Sequence, residues 1–263
     1  MRGKNPGTTV AIVAGIHGNE TGGVKAIETA VSSFAITHGT VHYVLGNPRA
    51  LEIGKRFIDI NLNRAFLRGN ALKKLPAQAY EGKRALELMP LFDTCDALLD
   101  LHSVSNEQAT PFIICEKEFF GYAKKFPFAI RSSGWGALEP GSTDDYMGTS
   151  GKIGICLECG FHHDPKVEER AIDGIRRFLT LMGNVASEPI EDNKDQKEIN
   201  ATTVYVTKKD FKLARPFSDF EAVKAGELVG WDNTAEYRTP HDCIIIFARN
   251  MSLPGQEAVI IGV

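Results

Sequence analysis

Val10-Ala11-Ile12-Val13-Ala14-Gly15-Ile16-His17-Gly18-Asn19-Glu20 decides how this chain is read. An apolar run of strand length, Thr8 to Val13, enters a glycine-bearing turn that closes on a histidine and a glutamate three positions apart. Ligand sites in α/β sheets gather at the carboxyl ends of strands. Imidazole and carboxylate suit a borderline-soft divalent cation, and three protein ligands leave a fourth position for water. A second apolar run, Ala97 to Leu101, ends in Asp100-Leu101-His102. His17, Glu20 and His102 are read together as one metal site. Residues 100 and 102 face the same side of a strand, so Asp100 is placed to orient the imidazole of His102.

Outward from these runs, strands alternate with helices. Val24, Ile27, Val31 and Phe34 fall at helical spacing and predict a helix over 21–35. Val41 to Leu45 reads as a strand, and 78–94 as a helix with Leu86, Leu88, Leu91 and Phe92 on its apolar face. Pro111 to Cys115 and Ile153 to Cys159 read as further strands. Asp164-Pro165 opens a helix, Asp as N-cap and Pro at the first helical position, with Val167, Ala171, Ile175, Phe178, Leu179 and Met182 inward. This alternation predicts an α/β layered sheet covered on both faces. Residues 187–200 are rich in Glu, Asp and Lys and read as a solvated linker. Beyond it, glycine-punctuated β segments predict a small all-β domain over 201–263, leaving 1–186 as the catalytic domain.

Composition bounds the function. The chain has 263 residues, 43% hydrophobic and 24% charged, with net charge −3, so neither a nucleic-acid groove nor an anionic membrane surface is indicated. No apolar run nears the roughly 18 to 20 residues that span a bilayer. The N-terminus lacks the apolar core of a signal peptide. The five cysteines are odd in number, and Cys115, Cys156 and Cys243 sit in apolar runs, as reduced thiols of a cytoplasmic protein would. Homo-oligomerisation stays open at this level.

His17-Gly18-Asn19-Glu20, Asn61-Leu62-Asn63-Arg64-Ala65-Phe66 and Asp100-Leu101-His102, in this order and spacing, resemble the succinylglutamate desuccinylase/aspartoacylase family. That family belongs with the zinc carboxypeptidases, and the resemblance covers roughly residues 8 to 185. It implies a mixed central sheet flanked by helices and one Zn2+ per chain, held by His17, Glu20 and His102. It implies that Asn63 and Arg64 hold a substrate carboxylate, a task suited to a forked guanidinium, and that Arg56 polarises the scissile carbonyl. Glu158 interrupts the apolar strand 153–159, a costly place for an ionisable residue without a role. By resemblance it is the general base and then the proton donor to the leaving nitrogen. The family also carries an arginine and a tyrosine in the loop before that glutamate, for a second substrate carboxylate. Here the loop 141–152 offers Tyr146, two aspartates and no arginine. The implied activity is removal of an acyl group from an N-acyl amino acid of unspecified identity.

Other readings remain open on sequence. One is a metallocarboxypeptidase acting on a peptide end, one a non-catalytic member of the fold, and one a nucleotide-binding α/β protein using Gly15 and Gly18. Cys156 and Cys159 form a C-x-x-C, but an odd separation on a strand points them to opposite faces. His162-His163 is expected to fill a loop near the mouth of the site.

Overall fold

Residues 10–14 alternate between two cores. Val10, Ile12 and Ala14 share one cluster with Leu99, Leu101, Ile155 and Leu157, whereas Ala11, Val13 and Leu98 belong to another. Period-two alternation with both faces apolar is the signature of a strand buried in a parallel sheet.

The computed structural model describes residues 1–73 and 75–263. Its strands are β1 (Asn5–Ala14), β2 (His38–Leu45), β3 (Ala97–Val104), β4 (Phe112–Ile114), β5 (Ile130–Ser133), β6 (Ile153–Phe161), β7 (Lys197–Val206), β8 (Phe211–Leu213), β9 (Glu221–Val223), β10 (Leu228–Asp232), β11 (Ala235–Arg238), β12 (Cys243–Ala248) and β13 (Glu257–Gly262). Its helices are α1 (Thr21–Ser33), α2 (Pro48–Glu52), α3 (Gly69–Leu72), α4 (Tyr80–Asp93), α5 (Phe120–Ala123), α6 (Trp135–Leu138), α7 (Thr143–Gly148) and α8 (Lys166–Leu181). Ten strands form one mixed sheet in the order β2-β1-β3-β6-β4-β5-β7-β13-β12-β9, and β11-β10-β8 form a second. The expected mixed α/β architecture is what the chain adopts.

Helices α1 and α8 cover one face. Val167, Ala171, Ile175, Phe178, Leu179 and Met182, the predicted inner face of α8, are all buried there. Truncating Phe178 to alanine would cost about 3–5 kcal/mol through the cavity left behind. The other face is covered by α4, α7 and the turn at 62–66. On α4 the buried stripe is Ala85, Leu88, Met89 and Phe92. Leu86, expected on that stripe, is 52% exposed, since it lies one position off the inward period. Helix α8 is assigned from Lys166, one residue later than expected. Pro165 has helical angles (φ −58°, ψ −20°), and Asp164 Oδ1 accepts from the Lys166 N–H at 2.9 Å, so the capping chemistry is as read.

The C-terminal segment departs from the expectation at its start. Lys197 to Asn200, placed in the linker on charge, are already strand and pair in parallel with β5 from Ile130↔Lys197 to Ser133↔Asn200. Ile199 explains this, because it alternates inward and is buried against Ile130 and Trp135. Beyond Asn200, β7 pairs antiparallel with β13. The segment 201–263 is all β, yet its larger sheet continues the central one. The packed rings of Phe112, Trp135 and Phe247 join the two parts, with centroids 5.8 to 6.0 Å apart.

Candidate metal centre and substrate cleft

The turn after β1 is built on glycine. Gly15 has φ +67°, a left-handed conformation that side chains disfavour. At Gly18 a Cβ would stand 2.0 Å from the Ala50 carbonyl carbon, so only glycine lets the turn pass α2. The turn delivers His17 and Glu20 to the carboxyl end of β1, beside the end of β3, its parallel neighbour in the sheet. His102 on β3 therefore meets them.

His17 Nδ1 lies 2.7 Å from Glu20 Oε1, and His102 Nδ1 lies 3.0 Å from Glu20 Oε2. One ligand atom from each residue falls within 4.8 Å of the others, and all three side chains are buried. The outward nitrogens have polar neighbours as well. His17 Nε2 is 2.9 Å from Asn61 Oδ1, and His102 Nε2 is 3.1 Å from Asp100 Oδ2. Asn61 Oδ1 also accepts from the Asn63 N–H at 3.0 Å, which fixes the amide orientation. His17 then carries its proton on Nε2 and turns the lone pair of Nδ1 toward the Glu20 carboxylate. Two electron-rich atoms 2.7 Å apart need a cation or a proton between them. The donor set, two imidazoles and one carboxylate with oriented rings, fits a divalent ion such as zinc. Asp100 in turn accepts from the Thr143 hydroxyl at 2.5 Å.

The electrostatics follow from burial. Burial alone would raise the Glu20 carboxyl, but His17 and His102 outweigh it and keep it well below the usual carboxylate range. His17 is lowered, burial prevailing over Glu20. In His102 burial is overcome by Asp100 and Glu20, which lift it above the ordinary imidazole value.

Glu158 stands opposite His102 in the β3–β6 register and lines the same cleft. Burial, then Glu20 and Asp100, push its carboxyl up to about 7 against the opposing pull of His102 and Arg56. Its Oε2 is buried without a hydrogen-bond partner among the described residues. Arg56 donates from Nη1 to Glu20 Oε1 at 3.1 Å, with a half-exposed side chain. Asn63 and Arg64 line a cleft of about 690 Å3 together with these residues. Arg64 is already engaged: its Nη2 lies 2.7 Å from Glu139 and 3.3 Å from Glu257, and its Nη1 donates to the Asn63 carbonyl at 2.8 Å.

Tyr146 is not at the site. It belongs to the core cluster under α4, its hydroxyl donates to Asp93 Oδ1 at 2.8 Å, and Arg68 lies 3.9 Å over its ring. The loop 141–152 places it on α7 with its ring turned inward, so the expected substrate contact is corrected. Cys156 and Cys159 do face opposite cores. His162 lines the cleft, Nδ1 2.8 Å from Ser103 Oγ and Nε2 3.3 Å from Asn19 Nδ2.

Sequence reasoning missed several residues at or beside the cleft. Asn61 sits inside the quoted Asn-Leu-Asn-Arg run, and its spacing to Asn63 was a usable signal. Glu139, Glu257 and Arg249 carried none, since tertiary packing alone brings Glu257 to Arg64 across 193 positions. Arg249 lines the cleft with no ion pair or hydrogen bond from its guanidinium among the described residues. Burial, and then Arg56, lower its pKa.

A profile of the succinylglutamate desuccinylase/aspartoacylase catalytic domain matches residues 6–182. The chain belongs to this family. A probable aspartoacylase of Prochlorococcus marinus (strain MIT 9312) is 26% identical over 196 residues, 68% of this chain and 62% of the relative. Another, from strain NATL1A, is 38% identical over 113 residues, 40% of this chain and 37% of the relative. The matched region thus spans less than two thirds of either relative. Among solved structures, the succinylglutamate desuccinylase of Vibrio cholerae has a TM-score of 0.78 at 17% identity, covering 98% of this chain and 81% of that one. The product-bound ectoine utilization protein EutE (DoeB) of Ruegeria pomeroyi has a TM-score of 0.74 at 19% identity, covering 99% and 87%. At these identities the structures establish the desuccinylase/aspartoacylase fold. No helix among the described residues is long and apolar enough to cross a membrane.

Proposed function

We propose that this protein is a zinc-dependent amidohydrolase that removes an acyl group from an N-acyl amino acid. The observation that carries the reading is the meeting of His17, Glu20 and His102 within 4.8 Å, with Glu158 across the strand register from His102. His17, Glu20 and His102 would hold the zinc, which would supply a water of pKa ~7 and a Lewis acid for the acyl carbonyl. Glu158, raised to about 7, is matched to accept a proton from the attacking water near neutral pH. It then hands that proton to the departing nitrogen. Arg56, which donates to Glu20 Oε1, is assigned the role of stabilising the developing oxyanion.

The substrate's carboxylate is assigned to the far end of the cleft. Glu139 is pushed up to about 8, by burial first and then by its hydrogen bond with Glu257, so it is neutral at pH 7. Glu257 remains ionised, burial being outweighed by Glu139 and Arg64. Arg64 and Arg249 line this end and offer guanidinium donors to a single substrate carboxylate. Leu213, Pro216 and Phe217 from the C-terminal segment line the same cleft and narrow it, favouring a small molecule over a peptide. Rates across a panel of N-acyl amino acids, each beside its carboxamide analogue, test the reading. The expected result is metal-dependent hydrolysis with the free carboxylate preferred; equal rates for acid and amide would remove Arg64 from its role.

A further inference from the structure

The strongest unassigned feature is a carboxylate outside the cleft. Glu81, in the first turn of α4, is fully buried (0% exposed), and no cation forms an ion pair with it among the described residues. Burying an ionised carboxylate is costly unless hydrogen bonds compensate. Four N–H donors do so here. Glu81 Oε1 accepts from the Asn47 side-chain amide at 3.1 Å and from the Ile58 backbone at 2.6 Å. Oε2 accepts from the backbones of Asp59 at 3.0 Å and Ile60 at 3.1 Å. The Asp59 side chain answers by capping α4, its Oδ2 accepting from the Tyr80 N–H at 2.8 Å. The pattern matches a capping box made by two segments 21 or more positions apart.

The gripped segment carries the site. Arg56, Asn61, Asn63 and Arg64 fall within nine residues, and apart from one turn at Leu62–Arg64 that stretch has no regular structure to hold it. Asn61 ends one residue beyond the last donor and orients His17 through Nε2. We infer that Glu81 is the positioning residue of this loop, fixing the register in which Asn61 reaches His17 and Arg64 reaches the substrate. An apolar anchor could bury the loop, but it could not set three consecutive N–H groups against one point. The inference rests on the proposed zinc site for both arms and on the proposed activity for its substrate arm only.

Glu81→Gln is the test, since it keeps volume and turns an NH2 against donors. Zinc affinity of the metal-free full chain, titrated by equilibrium dialysis and referred to the folded fraction, is expected to fall about tenfold or more, the usual effect of losing a group that orients a ligating histidine. The preference for an N-acyl amino acid over its carboxamide analogue is expected to shrink by a similar factor, because misplacing Arg64 harms only the acid. Loss of folded protein alone would lower both rates equally and leave the ratio intact. A folded variant with zinc affinity and preference both within twofold of the parent overturns the inference. Should Glu81→Gln not fold, Asn47→Ser decides: it removes one donor while leaving an oxygen for the Ala50 N–H that Asn47 caps. Shifts of both readouts in the same direction support the role, and parental values overturn it. Zinc affinity needs no substrate, so a parent protein inactive on every N-acyl amino acid would refute the proposed function and leave this arm standing.

Discussion

The proposed ion-binding end and the proposed substrate-binding end of the cleft are built differently. His17, Glu20, His102 and Asp100 are buried, sit at the ends of neighbouring parallel strands, and lie 2.7 to 3.1 Å from one another. Arg56, Arg64, Glu139, Arg249 and Glu257 come from loops and strand ends scattered over the chain, and Arg56 keeps wide access to water. The first arrangement suits a ligand of fixed geometry. The second suits charge recognition, in which guanidinium groups exchange one carboxylate for another. On the proposed function, rigid chemistry is placed on the sheet and selectivity on what surrounds it.

Glu158→Gln probes the rigid end most severely. It should lower kcat by about 10²–10⁴, the usual worth of a general acid–base, with zinc content unchanged. Turnover near the parental rate would move the base elsewhere and break the distinction between the ends. The substrate end should respond to pH. Glu139 is protonated below about 8, and above that value its ionisation adds a negative charge beside Arg64. KM for a carboxylated substrate should therefore rise severalfold through pH 8 to 9, and Glu139→Gln should abolish that rise. A KM that rises identically in both proteins would detach Glu139 from recognition. Tyr146→Phe should leave KM unchanged and cost about 0.5–1.5 kcal/mol in stability for the lost Asp93 bond. A tenfold rise in KM would return Tyr146 to the cleft.

The contrast between the two ends also explains what the sequence made legible. Apolar runs at 8–14 and 97–101 announced buried strands, so the residues ending them could be placed without coordinates. Glu158 stood out because a charge within an apolar strand has few uses. Tyr146 was misplaced because loop position alone does not say which way a ring on a short helix turns, and the space between α4 and α7 claimed it. The start of β7 was hidden by its charges: an alternation of Lys197, Glu198, Ile199 and Asn200 reads as solvated until β5 offers its free edge. Glu139, Glu257 and Arg249 meet Arg64 and its surroundings only through the packing of the C-terminal strands on the central sheet. Glu81 looked like one more acid in the first turn of a helix, and only its burial and four donors distinguish it.

The central claim is that two imidazoles and one carboxylate share a single ion. Zinc content after dialysis, measured on the parent chain and on His102→Ala, tests it most directly. The account predicts about one zinc per parent chain, as a three-ligand site implies, and close to none in the variant. A parent that takes up no zinc, or a variant that keeps its full complement, would contradict it.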